Sequence, residues 1–88
     1  MKYKVYILQS MRTNAYYVGQ SLDLRQRVDD HNDGRVKSTK SGRPWKLVYQ
    51  EEYESRSQAV RREREIKSRK KRKYIEQLIQ SRNVAQPG

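Results

Sequence analysis

The 88-residue sequence contains no cysteine, a single histidine and no long apolar run. The absence of cysteine excludes a disulfide scaffold, a thiolate zinc site and thiol catalysis. No stretch approaches the roughly 20 apolar residues that cross a bilayer, and Lys2 and Lys4 interrupt the start, where the apolar core of a signal peptide would lie. We therefore expect a cytoplasmic protein that does not span a membrane.

Acidic side chains are also scarce, because ten Asp and Glu stand against 21 Lys and Arg, for a formal net charge of +11. Such a surface attracts polyanions, nucleic acid first and anionic membranes second, although a merely soluble or ribosome-like basic protein has the same composition. The excess is uneven: residues 1–54 carry a net charge of +3 and residues 55–88 a net charge of +8. The length predicts one small domain at residues 1–82 and a flexible tail at 83–88.

Three segments have the composition of strands. Residues 3–9 and 15–19 are rich in Tyr, Val and Ile, and they predict a hairpin closed by a five-residue polar loop. Residues 45–53 predict a third strand, in which strict alternation would place Leu47 and Tyr49 on the same face.

The predicted first helix begins at Asp23, which with Gln26 has the spacing of a capping box. Gly34 fits the C-terminal cap of this helix. Residues 35–44 are basic and small, and they predict a loop with a short helical turn.

Two more helices are expected in the basic second part of the chain. Ser57 is a candidate N-cap for a helix that ends near Lys67, and Ser68 is a candidate N-cap for the next one. The order ββα, loop, βαα predicts an α+β fold, a small antiparallel three-stranded sheet flanked by helices. The apolar stripe of the last helix is formed by Ile75, Leu78 and Ile79.

Two tyrosines of the predicted hairpin are the first candidate site residues. Strand alternation places Tyr6 and Tyr17 on one face of neighbouring strands. Tyrosines in a hairpin are ordinarily packing residues, but Gly19 at the end of the second strand would let a ligand approach closely.

The first helix carries two further candidates. Arg27 lies at the edge of the apolar stripe, four residues before His31. Arg27 is either a bidentate phosphate ligand or a solvated helix arginine. His31 either accepts a proton or holds the fold, and without Cys or His companions it does not make a usual transition-metal site.

Glu63 falls on the narrow apolar stripe of the next helix, between Ala59 and Ile66 at helical spacing. A carboxylate on an inward face is costly unless something pairs with it. An arginine would make a structural ion pair, whereas a divalent cation such as Mg²⁺ would make a metal site completed by water and phosphate. Helical spacing alone favours the ion pair.

Basic residues in the loop and in the last two helices are candidate nucleic-acid contacts, because such contacts to phosphates need little order. The loop residues Ser38, Thr39 and Ser41 are candidates for additional phosphate contacts. The candidate basic residues are Arg35, Lys37, Lys40, Arg43, Arg62, Lys67, Arg69, Lys70 and Lys71.

Four motifs in this order resemble the GIY-YIG nuclease superfamily. They are Val-Tyr-Ile at 5–7, Tyr-Val-Gly at 17–19, the helix that carries Arg27 and His31, and Ala-Val-Arg-Arg-Glu at 59–63. Each motif is short, but together they cover nearly the whole chain in the right order.

The flanking segments 42–49 and 62–67 are similar to a small single-domain bacterial branch of uncharacterised proteins. The first signature departs from the family pattern, because Lys4 and Val5 stand at its Gly-Ile positions while the tyrosine is retained. Many members carry an asparagine late in the domain, for which Asn83 is the candidate here.

The resemblance implies a mechanism of phosphodiester hydrolysis. Glu63 would hold one divalent metal, Mg²⁺ or Mn²⁺. Tyr6 would act as general base for the attacking water or orient it, which requires nearby cations to lower its pKa. Tyr17 would hydrogen-bond the water or the phosphate, Arg27 would stabilise charge on the phosphate, and His31 would assist.

The sequence thus supports a metal-dependent DNA endonuclease in repair or recombination. The small branch lacks the additional DNA-binding domain of larger relatives, so we expect selection of single strands, flaps or junctions rather than of sequence. The alternatives are a nucleic-acid-binding module with little or no catalytic rate, and an accessory subunit recruited by a protein partner. RNA offers the same phosphate contacts as DNA.

Overall fold

The computed structural model of the chain describes residues 2–69 and 71–85, with side chains up to residue 81. In this part of the chain, three strands and three α-helices follow the predicted order, and the fold is α+β. No helix in it is long and apolar enough to cross a membrane. The elements are β1 (Tyr3–Ser10), β2 (Tyr16–Ser21), α1 (Leu24–Asn32), a 3₁₀ helix (Lys37–Gly42), β3 (Trp45–Tyr53), α2 (Arg56–Arg69) and α3 (Arg72–Ala85).

The sheet has β1 at its centre, paired antiparallel with β2 on one side and with β3 on the other. Because successive strand residues point to opposite faces, β1 contributes to two cores. Val5 and Ile7 pack in the core under α2 and α3, whereas Tyr6 and Leu8 pack in the core under α1. The other buried members are Val18, Tyr49, Ala59 and Ile66 in the first core, and Leu24 and Trp45 in the second.

The third strand contains a β-bulge that the alternating pattern did not reveal. Ile7 pairs with Tyr49, but the next residue of β1, Leu8, pairs with Leu47, so Val48 is extra. The prediction that Leu47 and Tyr49 share a face is therefore wrong. Leu47 packs in the core under α1, and Tyr49 packs in the core under α2 and α3.

The ends of α1 confirm the predicted caps in part. The Asp23 side chain accepts a hydrogen bond from the backbone N–H of Gln26 at 3.1 Å. The Gln26 side chain donates to Asp30 instead of reaching back to Asp23, so the capping box is only half formed. Gly34 follows the helix with a φ of +80°, a left-handed conformation that favours glycine, as predicted.

The predicted N-caps of α2 and α3 are both wrong. Ser55 caps α2, because its hydroxyl accepts from the Gln58 N–H at 3.3 Å while the Gln58 side chain accepts from the Ser55 N–H at 3.2 Å. Ser57 lies two residues after Ser55, already inside α2, and is therefore too late for this reciprocal box. Ser68 lies inside α2 and donates to the carbonyl of Glu65, and α3 starts only at Arg72.

The apolar stripe of α3 is confirmed, since Ile75, Leu78 and Ile79 are partly buried against the core under α2 and α3. The helix extends to Ala85, so the predicted tail begins inside α3. Residues 86–88 of that tail lie outside the described part of the chain.

A polar cluster ties β3 to α2 and α3. The guanidinium of Arg62 donates to Glu51 with both Nε to Oε1 (2.9 Å) and Nη2 to Oε2 (3.0 Å), and Nη1 donates to the hydroxyl of Tyr74 (3.1 Å). Tyr49 and Tyr53 also donate their hydroxyls to Glu51. We call these five residues the Glu51 cluster, and every oxygen of its carboxylate is hydrogen-bonded.

Candidate active site

Tyr6 is at the centre of the sheet, and its side chain is 1% exposed. Its cross-strand neighbour on β2 is Gly19, and a Cβ added to Gly19 would lie 2.6 Å from the Tyr6 hydroxyl. Only glycine therefore leaves room for this hydroxyl at the β2 edge. Gly19 was singled out in the sequence for close approach of a ligand, and the group that it admits is the Tyr6 side chain.

His31 is fully buried on the inner face of α1 and connects two elements. Its Nε2 lies 3.0 Å from the Tyr6 hydroxyl oxygen, and its Nδ1 lies 2.7 Å from Oγ1 of Thr39 in the 3₁₀ helix. Thr39 is 1% exposed. The suggested role of Thr39 as a phosphate contact is wrong, because its hydroxyl points inward to the histidine.

Tyr17 completes an aromatic group around His31. The ring centroids of Tyr17 and His31 are 4.8 Å apart, and those of Tyr17 and Tyr6 are 6.4 Å apart. Trp45 packs edge-on against Tyr17 at 6.4 Å. Tyr6 and Tyr17 therefore lie together on one face of neighbouring strands, as the alternation predicted, but they also contact the histidine.

Arg27 lies at the mouth of this group, with its side chain 40% exposed. Its interaction with the Tyr6 hydroxyl raises the pKa of Arg27. Its carboxylate contact, Asp30, is at 3.9 Å, which is a weak ion pair at this exposure. The guanidinium thus interacts with Tyr6 and stays accessible to an anion.

The electrostatics of the buried pair favour two neutral side chains. Burial raises the pKa of Tyr6 to about 12, against the opposing effect of Arg27. Burial, followed by the Arg27 charge, lowers the pKa of His31. The expectation that nearby cations lower the pKa of Tyr6 is not met by the protein's own cations, since desolvation outweighs Arg27.

Glu63 lies on the stripe that faces the protein body, between fully buried Ala59 and Ile66, with a side chain 20% exposed. Its Oε2 is 2.6 Å from Nζ of Lys67, so it is paired as helical spacing favoured, but with a lysine instead of an arginine. The same Nζ lies 5.9 Å from the ring centroid of Tyr17. The Glu63 charge also reaches Tyr6, whose pKa it raises.

The structure thus brings all five predicted site residues together. We call Tyr6, Tyr17, Arg27, His31 and Glu63 the Tyr6 site. They come from β1, β2, α1 and α2, and Lys67 links the carboxylate to the aromatic group. The arrangement brings one partly exposed cation, one carboxylate and two phenols together around the buried histidine.

The oxygen donors of the site fit a hard divalent cation that is held by one carboxylate and completes its shell with other ligands. Within residues 2–69 and 71–85, no three His, Asp or Glu side chains converge as a metal-binding group. Glu63 is the carboxylate of the Tyr6 site, and the remaining oxygens are the tyrosine hydroxyls. Mg²⁺ is often held by one or two carboxylates and completes its shell with water and substrate phosphate, which matches this set.

The candidate nucleic-acid contacts fall into two exposed groups and one exception. Arg35, Lys37, Lys40 and Arg43 lie around the 3₁₀ helix, whereas Lys67, Arg69 and Lys71 lie near the junction of α2 and α3. Arg35 is 3.2 Å from Asp30, and Arg43 donates to the carbonyl of Lys40 at 2.8 Å. Lys70 and the side chain of Asn83 lie outside the described part of the chain.

Arg62 is the exception, and its interpretation as a phosphate contact has to be corrected. The side chain is only 18% exposed, and its three nitrogens are engaged by Glu51, Glu65 and Tyr74. Arg62 is therefore a structural residue of the Glu51 cluster.

The supporting roles of Thr39 and Trp45 were missed in the sequence. Thr39 holds His31, and Trp45 holds Thr39, because its indole Nε1 donates to the Thr39 carbonyl at 2.7 Å. The Asn32 side chain in turn brackets the backbone of Trp45, accepting from its N–H at 2.6 Å and donating to its carbonyl at 3.1 Å. These contacts depend on where the 3₁₀ helix folds back, and no local sequence pattern encodes that.

Comparison with known proteins places this geometry in a family context. Residues 2–75 match the family model described as the GIY-YIG catalytic domain. A UPF0213 protein of Staphylococcus haemolyticus is 42% identical over 80 residues, covering 86% of this chain and 96% of the relative. A UPF0213 protein of Staphylococcus aureus strain Mu3 is 43% identical over 79 residues, covering 89% and 94%.

A solved structure agrees with the fold. The solution NMR structure of a UPF0213 protein from Bacillus halodurans is 32% identical and superposes with a TM-score of 0.57. The match covers 91% of this chain and 84% of that one.

Proposed function

The chain belongs to the GIY-YIG catalytic-domain family, which implies a nuclease-type function and nucleic-acid binding, and from this premise we propose that it is a metal-dependent endonuclease that hydrolyses phosphodiester bonds in DNA. The observation that carries the proposal is the convergence of Tyr6, Tyr17, Arg27, His31 and Glu63 from four elements. Of these side chains, Tyr6 and Tyr17 also pack in the core under α1, whereas the partly exposed Arg27 and Glu63 are not needed for that packing.

Arg27 is the residue best suited to bind the scissile phosphate. Its guanidinium is partly exposed and lies next to the Tyr6 oxygen, so a phosphate bound there would be within reach of Tyr6. A planar guanidinium can donate two parallel hydrogen bonds to phosphate oxygens, which fixes the orientation of the phosphorus as well as its charge.

Tyr6 would orient the attacking water and take its proton. In the free protein Tyr6 is a neutral phenol with a pKa of about 12, and its hydroxyl is hydrogen-bonded to Nε2 of His31. Tyr17, on the neighbouring strand, would hydrogen-bond the same water or the phosphate.

Glu63 would hold one divalent metal, Mg²⁺ or Mn²⁺. Such a cation supplies Lewis-acid stabilisation of charge on the phosphate and the leaving oxygen. Glu63 is now paired with Lys67. A single carboxylate binds a cation weakly, so we expect tight binding only together with the substrate phosphate.

The substrate is proposed to be single-stranded, flap or junction DNA in repair or recombination. The basic residues around the 3₁₀ helix and near the α2–α3 junction offer phosphate contacts, and contacts of this kind position a strand without reading its sequence. Cleavage of RNA in place of DNA is one outcome of the experiment below.

The test incubates the purified protein with end-labelled single-stranded, duplex and flap DNA, and with the matching RNA strand, in Mg²⁺, Mn²⁺ or EDTA. Glu63→Gln is compared with Glu65→Gln, which removes the same charge two positions away on an exposed face of α2. We expect metal-dependent cutting that falls at least about 100-fold in Glu63→Gln and is retained in Glu65→Gln.

Binding without cutting on every substrate would overturn the endonuclease. The pairing of Glu63 with Lys67 would then be the resting structure of a binding module or of an accessory subunit that acts with a protein partner. Cutting that persists in EDTA would retain the nuclease and overturn its metal dependence.

A further inference from the structure

A chain of three hydrogen bonds, two of them buried and one partly buried, runs from Tyr6 through His31 to the 3₁₀ helix. Tyr6 and His31 are joined at 3.0 Å, and His31 and Thr39 at 2.7 Å. The hydroxyl of Thr39 then donates to the carbonyl of Val36 at 3.3 Å. Tyr6, His31 and Thr39 are each at most 1% exposed, so the two His31 nitrogens bond to side chains of the protein.

The Thr39 end of this chain fixes the direction of its protons. The Thr39 hydroxyl has one hydrogen, and because it points to the Val36 carbonyl, its oxygen must accept from Nδ1–H of His31. With the proton of a neutral ring on Nδ1, Nε2 is an acceptor, and the Tyr6 hydroxyl 3.0 Å away is its donor.

The Thr39 hydroxyl is held in place by its own surroundings. The backbone N–H of Thr39 donates to Val36 at 3.1 Å, and its carbonyl accepts from the indole of Trp45 at 2.7 Å. Trp45 is itself bracketed by Asn32, the residue that follows His31 on α1. The His31–Thr39 hydrogen bond is thus supported from both α1, through Asn32, and β3, through Trp45.

We propose that Thr39 is a positioning residue that holds His31 in its Nδ1–H tautomer, so that Nε2 is the acceptor for the proton of Tyr6. The tautomer follows from the hydrogen bonds alone, whereas its catalytic consequence rests on the proposed nuclease function. Burial lowers the pKa of His31, which agrees with a neutral ring.

The consequence concerns where the proton of Tyr6 goes. When the Tyr6 oxygen accepts a proton from water, its own hydrogen moves to Nε2, and His31 becomes an imidazolium with Nδ1–H still bonded to Thr39. The opposite tautomer would present N–H to Tyr6 and could accept nothing. A residue two steps from the reacting atoms therefore decides whether Tyr6 can act as a base.

The direct test is the ¹⁵N NMR spectrum of His31 in the metal-free protein near pH 7.5. His31 is the only histidine of the chain, so its two ring nitrogens need no assignment among residues. We expect a protonated Nδ1 and an unprotonated Nε2 in the wild type and in Thr39→Ser, and a mixture of tautomers in Thr39→Val. A wild-type ring protonated on Nε2 would overturn the proposal, whether or not the protein cuts DNA.

The kinetic test separates positioning from structure. Thr39→Val should lower kcat at least about tenfold with little change in KM, and Thr39→Ser should restore most of it. The matched control is Thr13→Val at the other threonine, which lies exposed in the hairpin loop.

Two results would count against the role of Thr39. One is an unchanged tautomer and an unchanged kcat in folded Thr39→Val. The other is a loss of kcat in Thr39→Ser equal to that in Thr39→Val. If the wild type cuts no substrate at all, the proposed function fails, and the NMR measurement still decides the tautomer.

Discussion

Two clusters in this fold are built from the same kinds of residue and differ in how completely their polar atoms are used. The Glu51 cluster joins a carboxylate, a guanidinium and three phenols, and both carboxylate oxygens accept from Arg62 and from a tyrosine. The Tyr6 site also has a carboxylate, a guanidinium and phenols. There, Glu63 is paired with one lysine, and Arg27 has only a weak carboxylate contact at 3.9 Å.

This difference separates a structural cluster from a candidate site. Polar groups that satisfy one another in the folded protein have nothing left to offer a ligand and contribute to stability. Groups that are oriented but not fully engaged keep binding capacity for an anion or a cation. Neither residue type nor position in the sequence distinguishes the two clusters. Both contain an arginine and a glutamate, and the adjacent residues Arg62 and Glu63 belong to different clusters.

The largest expected difference between the two clusters is the effect of a Tyr→Phe substitution on catalysis. Tyr6→Phe removes the oxygen proposed to act as general base and should lower cleavage at least about 100-fold, a typical loss for such a base. Tyr53→Phe makes the same change in the Glu51 cluster and should leave the cleavage rate of the folded protein unchanged. Single-turnover kinetics on the best DNA substrate measures both, and equal losses would show that the Tyr6 hydroxyl has no special role.

The next largest effect is on stability, where a substitution in the Glu51 cluster should cost more than one in the Tyr6 site. Glu51→Gln leaves Arg62 without its charged partner at a site where both side chains are less than 20% exposed. Breaking a buried pair costs 3–5 kcal/mol, and with this partial exposure we expect about 2 kcal/mol in the free energy of unfolding. Urea denaturation should show a smaller loss for Glu63→Gln, and a larger loss there would contradict the assignment of the two carboxylates.

A third, smaller effect appears on acidification, in two steps. Burial lowers the pKa of His31 below its ordinary 6.5, so the unfolded chain takes up this proton first and stability falls as the pH drops below about 6.5. Burial alone would raise the pKa of Glu51, but hydrogen bonds from Arg62 and the tyrosines outweigh it. The pKa therefore lies below 4.5, and stability falls again below that pH.

Each step can be removed separately. His31→Gln should abolish the decline between pH 7 and 5.5, and Glu51→Gln should flatten the decline below pH 4.5. The measurement is the free energy of unfolding in urea from pH 8 to 3. A wild-type stability that stays constant between pH 7 and 5.5 would show that His31 is not buried in its neutral form.

The parts of this structure that the sequence could predict are those fixed by local periodicity. The strands, the cap at Asp23 and the inward direction of Glu63 follow from spacings of two to four residues. The bulge at Val48 was missed because it depends on pairing with β1, and the role of Arg62 was missed because its partner Glu51 is on another element. The resemblance named the five site residues, but only the fold shows that Thr39 supports them.

The smallest expected effect concerns the basic surface, where single charges contribute little. Lys37 and Lys40 are exposed beside the Tyr6 site, on the 3₁₀ helix that carries Thr39. If both contact phosphates, their replacement by Ala should weaken DNA binding a few-fold and reduce the salt dependence of log K by about two. The matched control replaces Lys2 and Lys4, whose charges are already paired with Glu at 3.2 and 3.4 Å. Equal changes in the two double variants would mean that DNA responds to net charge rather than to a surface around the site.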